Sequence, residues 1–502
     1  MNTKFFSIRN TAAALALMAA VSGCDKIKNF GDTNVNPAAT TKPIVAALLT
    51  NVEAGVAGFA ANTGGGLYCQ YFSETQYTDI SLYSSNQANF AGTYSGSLYD
   101  LQNIILQNPG NSMTAVARIL KAYIYSNITD RWGDIPYSQA LQGTVPGYDK
   151  QVDIYKSLIK ELTQAVAQFD AGSVISGDII YGNDAAKWKK LANSLRMIFA
   201  LRLSKKYPNP GDYAATEFKA AYLDGNGHIT SNADNFTVAY PGGNFKNPWY
   251  NLYDGRKDFA ESKTMTDLTA GLGDARQSAF GGDAAANSSS QGFPYGLVRS
   301  PDALGFEATN SNTWARILKA SFRAENSPLV IVSAAVVALA KAEAAERGWL
   351  APLTTTDAEA FYKTGIDLSY AQWGVGSATS YYGAASAANY QTGAGVAAIG
   401  QNSYNSIPAT ANANTPNKLA RIALQRYIAA YPDGTQGWSE WRRTGVPDIK
   451  PTAYAVSAAK TIPRRTIYGQ SEYSLNPAGA AQGVTGLQPA SDAMESRIWW
   501  DQ

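Results

Sequence analysis

Apolar residues recur at helical spacing along much of this 502-residue chain. Between Gln151 and Phe169, the residues Val152, Tyr155, Leu158, Ile159, Leu162, Val166 and Phe169 form one stripe, with Asp149 placed near its start as a cap. A second stripe, from Thr114 to Asp130, carries Val116, Leu120, Tyr123, Ile124 and Ile128. A third, from Lys187 to Lys206, carries Trp188, Leu191, Leu195, Ile198 and Phe199, and Pro208 stops it. Leu329 to Arg347 is alanine-rich and apolar nearly all round, which predicts a buried helix ended by Gly348. Asp357–Ser369 and Asn417–Ala430 add two more helices. The first three begin about 36 residues apart, near the period of helix-pair repeats. The pattern therefore predicts a mainly α fold with a tetratricopeptide-like (TPR-like) frame. No long run alternates with period 2, and Asn235–Tyr240 is the best candidate for a short strand.

Two stretches interrupt the helical pattern. Residues 280–312 and 374–416 are rich in Gly, Ala, Ser and Asn, and connections this long are uncommon in compact domains unless they carry function or are disordered. The second bears Tyr381, Tyr382, Tyr390 and Tyr404, and linkers seldom spend large aromatic side chains.

The start of the chain has a different character. Lys4 and Arg9 precede an apolar run from Ala12 to Val21, too short to span a bilayer, which ends in Val21-Ser22-Gly23-Cys24. Small residues before a cysteine are the pattern of a bacterial lipoprotein. We expect residues 1–23 to be a signal peptide, Cys24 to be acylated, residues 24–40 to form a tether, and residues 41–502 to form the folded domain. Without residues 1–23 the chain has 39 basic and 39 acidic residues, so nothing in its charge favours nucleic acid or anionic lipid. With Cys24 lipidated, Cys69 has no partner for an intrachain disulfide. The single histidine, His228, excludes a zinc site built on two imidazoles. Its segment, Asp224-Gly-Asn-Gly-His228, starts like a calcium loop but lacks the later glycine and glutamate, and so reads as a turn. No cofactor or metal is expected. Charged residues are only 16% of the chain, while tyrosine reaches 30 residues and tryptophan 10, a composition suited to neutral, hydroxyl-rich ligands.

Ordered motifs then carry a resemblance. They are Gly31-Asp-Thr-Asn-Val-Asn-Pro37, Asp130-Arg-Trp-Gly-Asp-Ile-Pro-Tyr137, and Trp188 through Arg202. Ala342-Glu343-Ala344 through Trp349, Trp438-Ser-Glu-Trp-Arg-Arg-Thr-Gly445 and Ile462-Pro-Arg-Arg465 complete the set. In this order they resemble the SusD/RagB family of nutrient-binding outer-membrane lipoproteins, in its SusD-like branch. The chain departs at Tyr468-Gly469, where a Tyr-Pro pair is common. The resemblance implies a helical TPR-like frame supporting long irregular loops. It implies a SusC-like TonB-dependent transporter as partner, an oligosaccharide or peptide ligand captured at the cell exterior, and no catalysis.

Sugar capture needs aromatic planes for pyranose faces and amides or carboxylates for hydroxyls. Trp249, Tyr250, Asn251 and Tyr253, set between Gly242-Gly243 and Asp254-Gly255, meet that description. Tyr77 and Tyr83 form a second candidate group, whereas Tyr68, Tyr71 and Phe72 have the spacing of a packed helix face. On this reading Trp249→Ala weakens binding and leaves the fold intact. Tyr381, Tyr382, Tyr390 and Tyr404 suit a mobile lid or a transporter contact. Trp132-Gly133-Asp134 reads as a structural turn with Asp134 capping the next segment. Glu440, Arg442, Arg443, Arg464 and Arg465 read as ion pairs joining the C-terminal segment to the helices. The alternatives are a peptide importer of the RagB kind, an assembly lipoprotein without a ligand, and a glycoside hydrolase, whose paired carboxylates no sequence can place.

Overall fold

The computed structural model describes residues 43–84, 88–281, 291–298, 314–393 and 418–502. The expectations for residues 1–23, Cys24, the tether and Tyr404 lie outside the described residues. Val45–Gln502 form one unit. Its first helix, α1 (Val45–Ala60), buries Leu49, Val52 and Val56, and a short helix, α2 (Thr63–Tyr68), follows. After α3 (Tyr99–Gln107) come the three helices that the apolar stripes predict: α4 (Asn111–Trp132), α5 (Gln151–Gln168) and α6 (Ala185–Arg202). Helix α5 packs against both α4 and α6, and α6 packs against α7 (Tyr213–Tyr222). This run of paired neighbours is the TPR-like frame.

The caps differ from expectation in one respect. Asp149 does not cap α5: its carboxylate accepts from the Tyr137 and Ser138 amides at 3.0 and 2.8 Å and holds that turn. Asp134 reaches across instead and accepts from Gln151 N at 2.8 Å, with Lys150 at 3.0 Å from its other oxygen. The turn does use Gly133 at φ +94° and packs the buried Trp132, whose indole donates to Ile467 O at 3.0 Å. The Asp224–Gly227 segment is a turn, closed by Gly227 N donating to Asp224 O at 2.9 Å. His228 lies half-buried beside Tyr222, and burial lowers its pKa to about 4.

The predicted Leu329–Arg347 helix divides into two elements. Leu329–Val332 is a strand, because this Leu-Val-Ile-Val run is β-branched and apolar on both faces. It pairs antiparallel with the strand found at Phe236–Val238, with Phe236 opposite Val332. Ser333 then accepts from Val336 N at 3.3 Å and starts the buried helix Ala334–Glu346. That helix packs on Thr355–Trp373, where a Cβ at Gly365 would lie 2.6 Å from Leu339 Cγ, so glycine permits the close contact. Near the C-terminus, Lys418–Ala430 packs against Gly434–Thr444. Gly434–Thr444 also crosses α2 at backbone contact, and a Cβ at Gly434 would sit 2.1 Å from Gly66 N.

Buried charges join these helices. Arg443 donates to Glu343 at 2.6 and 2.7 Å and to Glu440 at 2.7 Å. Arg426 donates to Glu440 at 2.8 and 3.0 Å, and Arg202 lies between Glu440 at 3.3 Å and Asp130 at 3.4 Å. Burial alone would raise the Glu440 pKa, but Arg426, Arg443 and Arg202 outweigh it and hold the carboxyl well below its ordinary range. Arg464 pairs with Asp501 at 2.7 Å and Arg465 with Asp492. Arg443, Arg464 and Arg465 are therefore structural ion pairs, as the sequence reading holds. Arg442 makes no ion pair among the described residues and donates instead to Asp130 O at 2.7 Å and Arg464 O at 2.9 Å.

Removing one partner from such a network strands a buried charge. Glu440→Gln should destabilise the fold by about 3–5 kcal/mol in urea denaturation. Glu53, on α1, presents the opposite case. It accepts from Ile179 N at 2.7 Å, while burial and then the nearby Asp178 raise its pKa from 4.5 to about 9. The folded chain holds this proton more tightly than the unfolded chain, so stability falls as pH rises from 4.5 towards 9. Glu53→Gln should match the native chain below the lower value and exceed its stability at alkaline pH by on the order of 2–4 kcal/mol, read from urea midpoints at the two pH values.

Candidate ligand-binding face

Strand pairing brings the two candidate aromatic segments together. Phe72–Glu74 runs antiparallel to Phe259–Glu261, with Phe72 opposite Glu261 and Glu74 opposite Phe259. Beyond the strands, Thr75 N donates to Asp258 O at 2.8 Å and Thr75 Oγ1 donates to Lys257 O at 2.6 Å. Thr75 and Tyr77 are thus set beside residues 256–258, although about 180 residues separate them in the chain.

The second segment is shaped by the one-turn helix Pro248–Asn251. Proline suits its first position, and Asn247 Oδ1 accepts from Trp249 N at 2.8 Å. Asn247 Nδ2 donates to Ser327 O at 2.9 Å, which fixes the helix against the body. This orientation turns Trp249 inward and leaves Asn251 exposed. Trp249 is 2% exposed, lies edge-on to Phe72 at 5.6 Å and borders a cavity of about 160 Å³ beside Trp373 and Tyr431. Tyr250 is half-buried, with Lys246 Nζ 4.8 Å from its ring centre. Tyr253 is also half-buried and held at its hydroxyl, which donates to Phe259 O at 3.1 Å and accepts from Ile317 N at 2.9 Å.

In the first segment Tyr77 is 47% exposed, and the Arg256 guanidinium lies 4.8 Å from its ring centre. Arg256 is held in turn by Asp258 at 2.6 Å. Tyr83 differs: it is fully buried at φ +59°, with Tyr295 at 6.5 Å and its hydroxyl accepting from Thr452 N at 3.4 Å. Tyr77, Tyr250 and Asn251 therefore reach solvent, Tyr253 pins the loop, and Trp249 and Tyr83 lie in the interior. The expectation that Trp249 and Tyr83 offer surface planes is corrected by this burial, because closed rings cannot stack on a ligand.

The second aromatic loop is corrected at Tyr381 and Tyr390, while Tyr382 is half-buried with its hydroxyl donating to Asp367 at 3.1 Å. Tyr381 and Tyr390 are buried, at 5.4 Å from Tyr370 and 5.1 Å from Tyr362, so they anchor this segment against the helix Thr355–Trp373. Sequence reasoning missed Phe245, Arg256 and Tyr454. Phe245 is 64% exposed on the turn closed by its bridge to Gly242, which the Gly242-Gly243 pair signals. Tyr454 is 54% exposed, in a segment tied to the first one by Val456 N donating to Leu82 O at 2.8 Å. No local pattern marks Tyr454, since its position depends on a distant backbone contact.

A family model described as "Starch-binding associating with outer membrane" matches residues 36–469, so the chain belongs to the SusD-like family of nutrient-binding proteins. Members of this family are binding proteins associated with the outer membrane. Solved structures agree over nearly the whole fold. A chitin-binding protein is 25% identical with a TM-score of 0.74, covering 91% of this chain and 99% of its own. A SusD homolog from Bacteroides uniformis is 26% identical with a TM-score of 0.73, again covering 91% and 99%. A chitin-binding SusD homolog from Flavobacterium johnsoniae shares the fold at a TM-score of 0.76 and 24% identity, covering 92% and 99%. No curated protein sequence matches the chain.

Burial separates the roles of the aromatic residues. Trp249→Ala should cost about 3–5 kcal/mol of stability, whereas Tyr77→Ala should stay within about 0.5–1 kcal/mol of the native chain, both read by urea denaturation.

Proposed function

We propose that this chain is a lipid-anchored, cell-surface protein that captures oligosaccharides and passes them to a SusC-like TonB-dependent transporter. The observation that carries this reading is the exposed ring of Tyr77, with the half-buried Tyr250 and the exposed Asn251 on a second loop, both loops continuing from one strand pair. Flat rings stack on the apolar faces of pyranoses, and the Asn251 amide pairs with hydroxyls. Fixed loops lower the ordering cost of binding, while desolvation of the sugar hydroxyls keeps affinity modest, which suits handover. The family's starch-binding description and the chitin-binding relatives support a neutral glycan. Acylation of Cys24, with residues 24–40 as tether, would place the domain at the membrane surface.

Calorimetric titration of residues 25–502 with malto-oligosaccharides, chito-oligosaccharides and short peptides tests the proposal. Saturating heat with one of the two glycans is expected, and Tyr77→Ala combined with Tyr250→Ala should weaken it by about tenfold, or ~1.4 kcal/mol. Saturation with peptides alone would replace this reading with peptide import, and unchanged glycan affinity in the double variant would remove the aromatic face from it.

A further inference from the structure

The cavity beside Trp249 has no part in the aromatic face. It measures about 160 Å³ and lies among α4, α6, the strand Leu329–Val332 and the end of the helix Lys418–Ala430. Pro328 on its rim is exposed, and Phe322, Val330, Val336 and Gln372 are half-buried, so its mouth lies between that strand and the end of the helix Thr355–Trp373. Trp249 and Tyr431, each 2% exposed, close the far side. Protein interiors hold few voids larger than a water molecule, so a space of this size with a mouth calls for an occupant.

The wall is chiefly apolar, with aliphatic side chains from Leu195, Ile198, Leu329 and Ile331. Of the charged groups that reach it, Arg426 and Glu440 are bound to each other at 2.8 and 3.0 Å. Gln436 Oε1 accepts from Arg202 at 2.7 Å, and the Ser126 hydroxyl donates to Tyr123 O at 2.7 Å. Tyr123 OH, Gln372 Oε1, Trp373 Nε1 and Asp433 Oδ2 have no partner, but each is shut off from accessible space and is not offered to an occupant. A buried water needs about two to four polar partners, whereas an apolar molecule needs none.

The rings in the wall select the kind of occupant. Phe322 lies against Trp373 at 5.0 Å, Trp373 against Phe280 at 5.1 Å and Phe280 against Tyr431 at 4.5 Å. The arc continues through Phe72 to Trp249, at 5.9 and 5.6 Å. Phe322, Trp373, Tyr431 and Trp249 from this arc border the cavity. Rings packed edge to face accept a further ring in the same manner. An apolar cavity of about 150 Å³ stays dry and takes up benzene. We propose that this cavity binds a small planar aromatic molecule, of the size of toluene or indole, held against Trp373 and Phe322. The site is independent of the Tyr77 and Tyr250 face, so either reading can fail without the other.

The experiment is calorimetric titration and thermal melting of residues 25–502 with toluene and with indole. Saturable binding of both probes is expected, with a melting temperature that rises with probe concentration. Tyr77→Ala combined with Tyr250→Ala should leave that binding unchanged, which separates the cavity from the exposed rings. Ala429 and Ala430 line the cavity, so Ala429→Leu should fill it and weaken binding at least about tenfold. Thermal melts should show that this variant folds, and Ala430→Leu decides by the same readings if it does not. Absence of saturable binding, loss of binding in the tyrosine double variant, or native affinity in the folded alanine variant would each overturn the proposal. Failure of both alanine variants to fold would show that the space has no room for a ring, and would overturn it as well.

Discussion

The buried charge network of Arg202, Arg426 and Arg443 with Asp130, Glu343 and Glu440 is the constraint on which the rest of the structure depends. Its members come from α4, α6, Ala334–Glu346, Lys418–Ala430 and Gly434–Thr444, so it joins elements from both ends of the chain. An apolar core tolerates many side-chain arrangements of similar volume. Bidentate pairs do not, because a small shift leaves a desolvated charge without its partner. Asp130 extends the arrangement: its carboxylate also accepts from Trp500 Nε1 at 2.9 Å and from the Tyr155 hydroxyl. The C-terminus is thereby fastened to the centre of the helical frame.

A frame fixed in this way holds loops that cannot hold themselves. The strand pair Phe72–Glu74 and Phe259–Glu261 spans only three residues on each side. It gains support from Tyr71 and Phe72, which pack on Tyr431, and from the backbone crossing at Gly66 and Gly434. Trp249 lies beneath the same region. The large aromatic residues thus divide into an inner set that fixes loop position and an outer set that meets solvent, and the outer set costs little further ordering when a ligand arrives.

The long amphipathic helices were legible because their apolar stripes are set by burial on one side. The α4, α5 and α6 stripes correspond to observed helices, with ends displaced by a few residues. Gly434–Thr444 was not legible as a helix, since Gly434 and Gly437 lower helix propensity and are required only by contacts with Gly66 and Tyr71. Leu329–Val332 was merged into the next helix because a short apolar run fits either period, and its strand partner is about 90 residues away. The candidate site was legible as two segments and not as an inside and an outside. Composition marks Trp249, Tyr250, Tyr77 and Tyr83 alike, whereas the Asn247 cap and the positive φ of Tyr83 decide which rings are closed. Asp134 and Asp149 show the same limit, for the residue nearer in sequence to the α5 start was not the one that caps it.

On the proposed function, two distant segments joined by strand pairing on a charge-locked frame form the surface that meets a glycan. Hydrogen exchange of residues 25–502 with and without saturating oligosaccharide tests it most directly. Added protection is expected at residues 75–83 and 245–258, with α4, α5 and α6 unchanged. Protection confined to the helical frame, with none at those two segments, would contradict it.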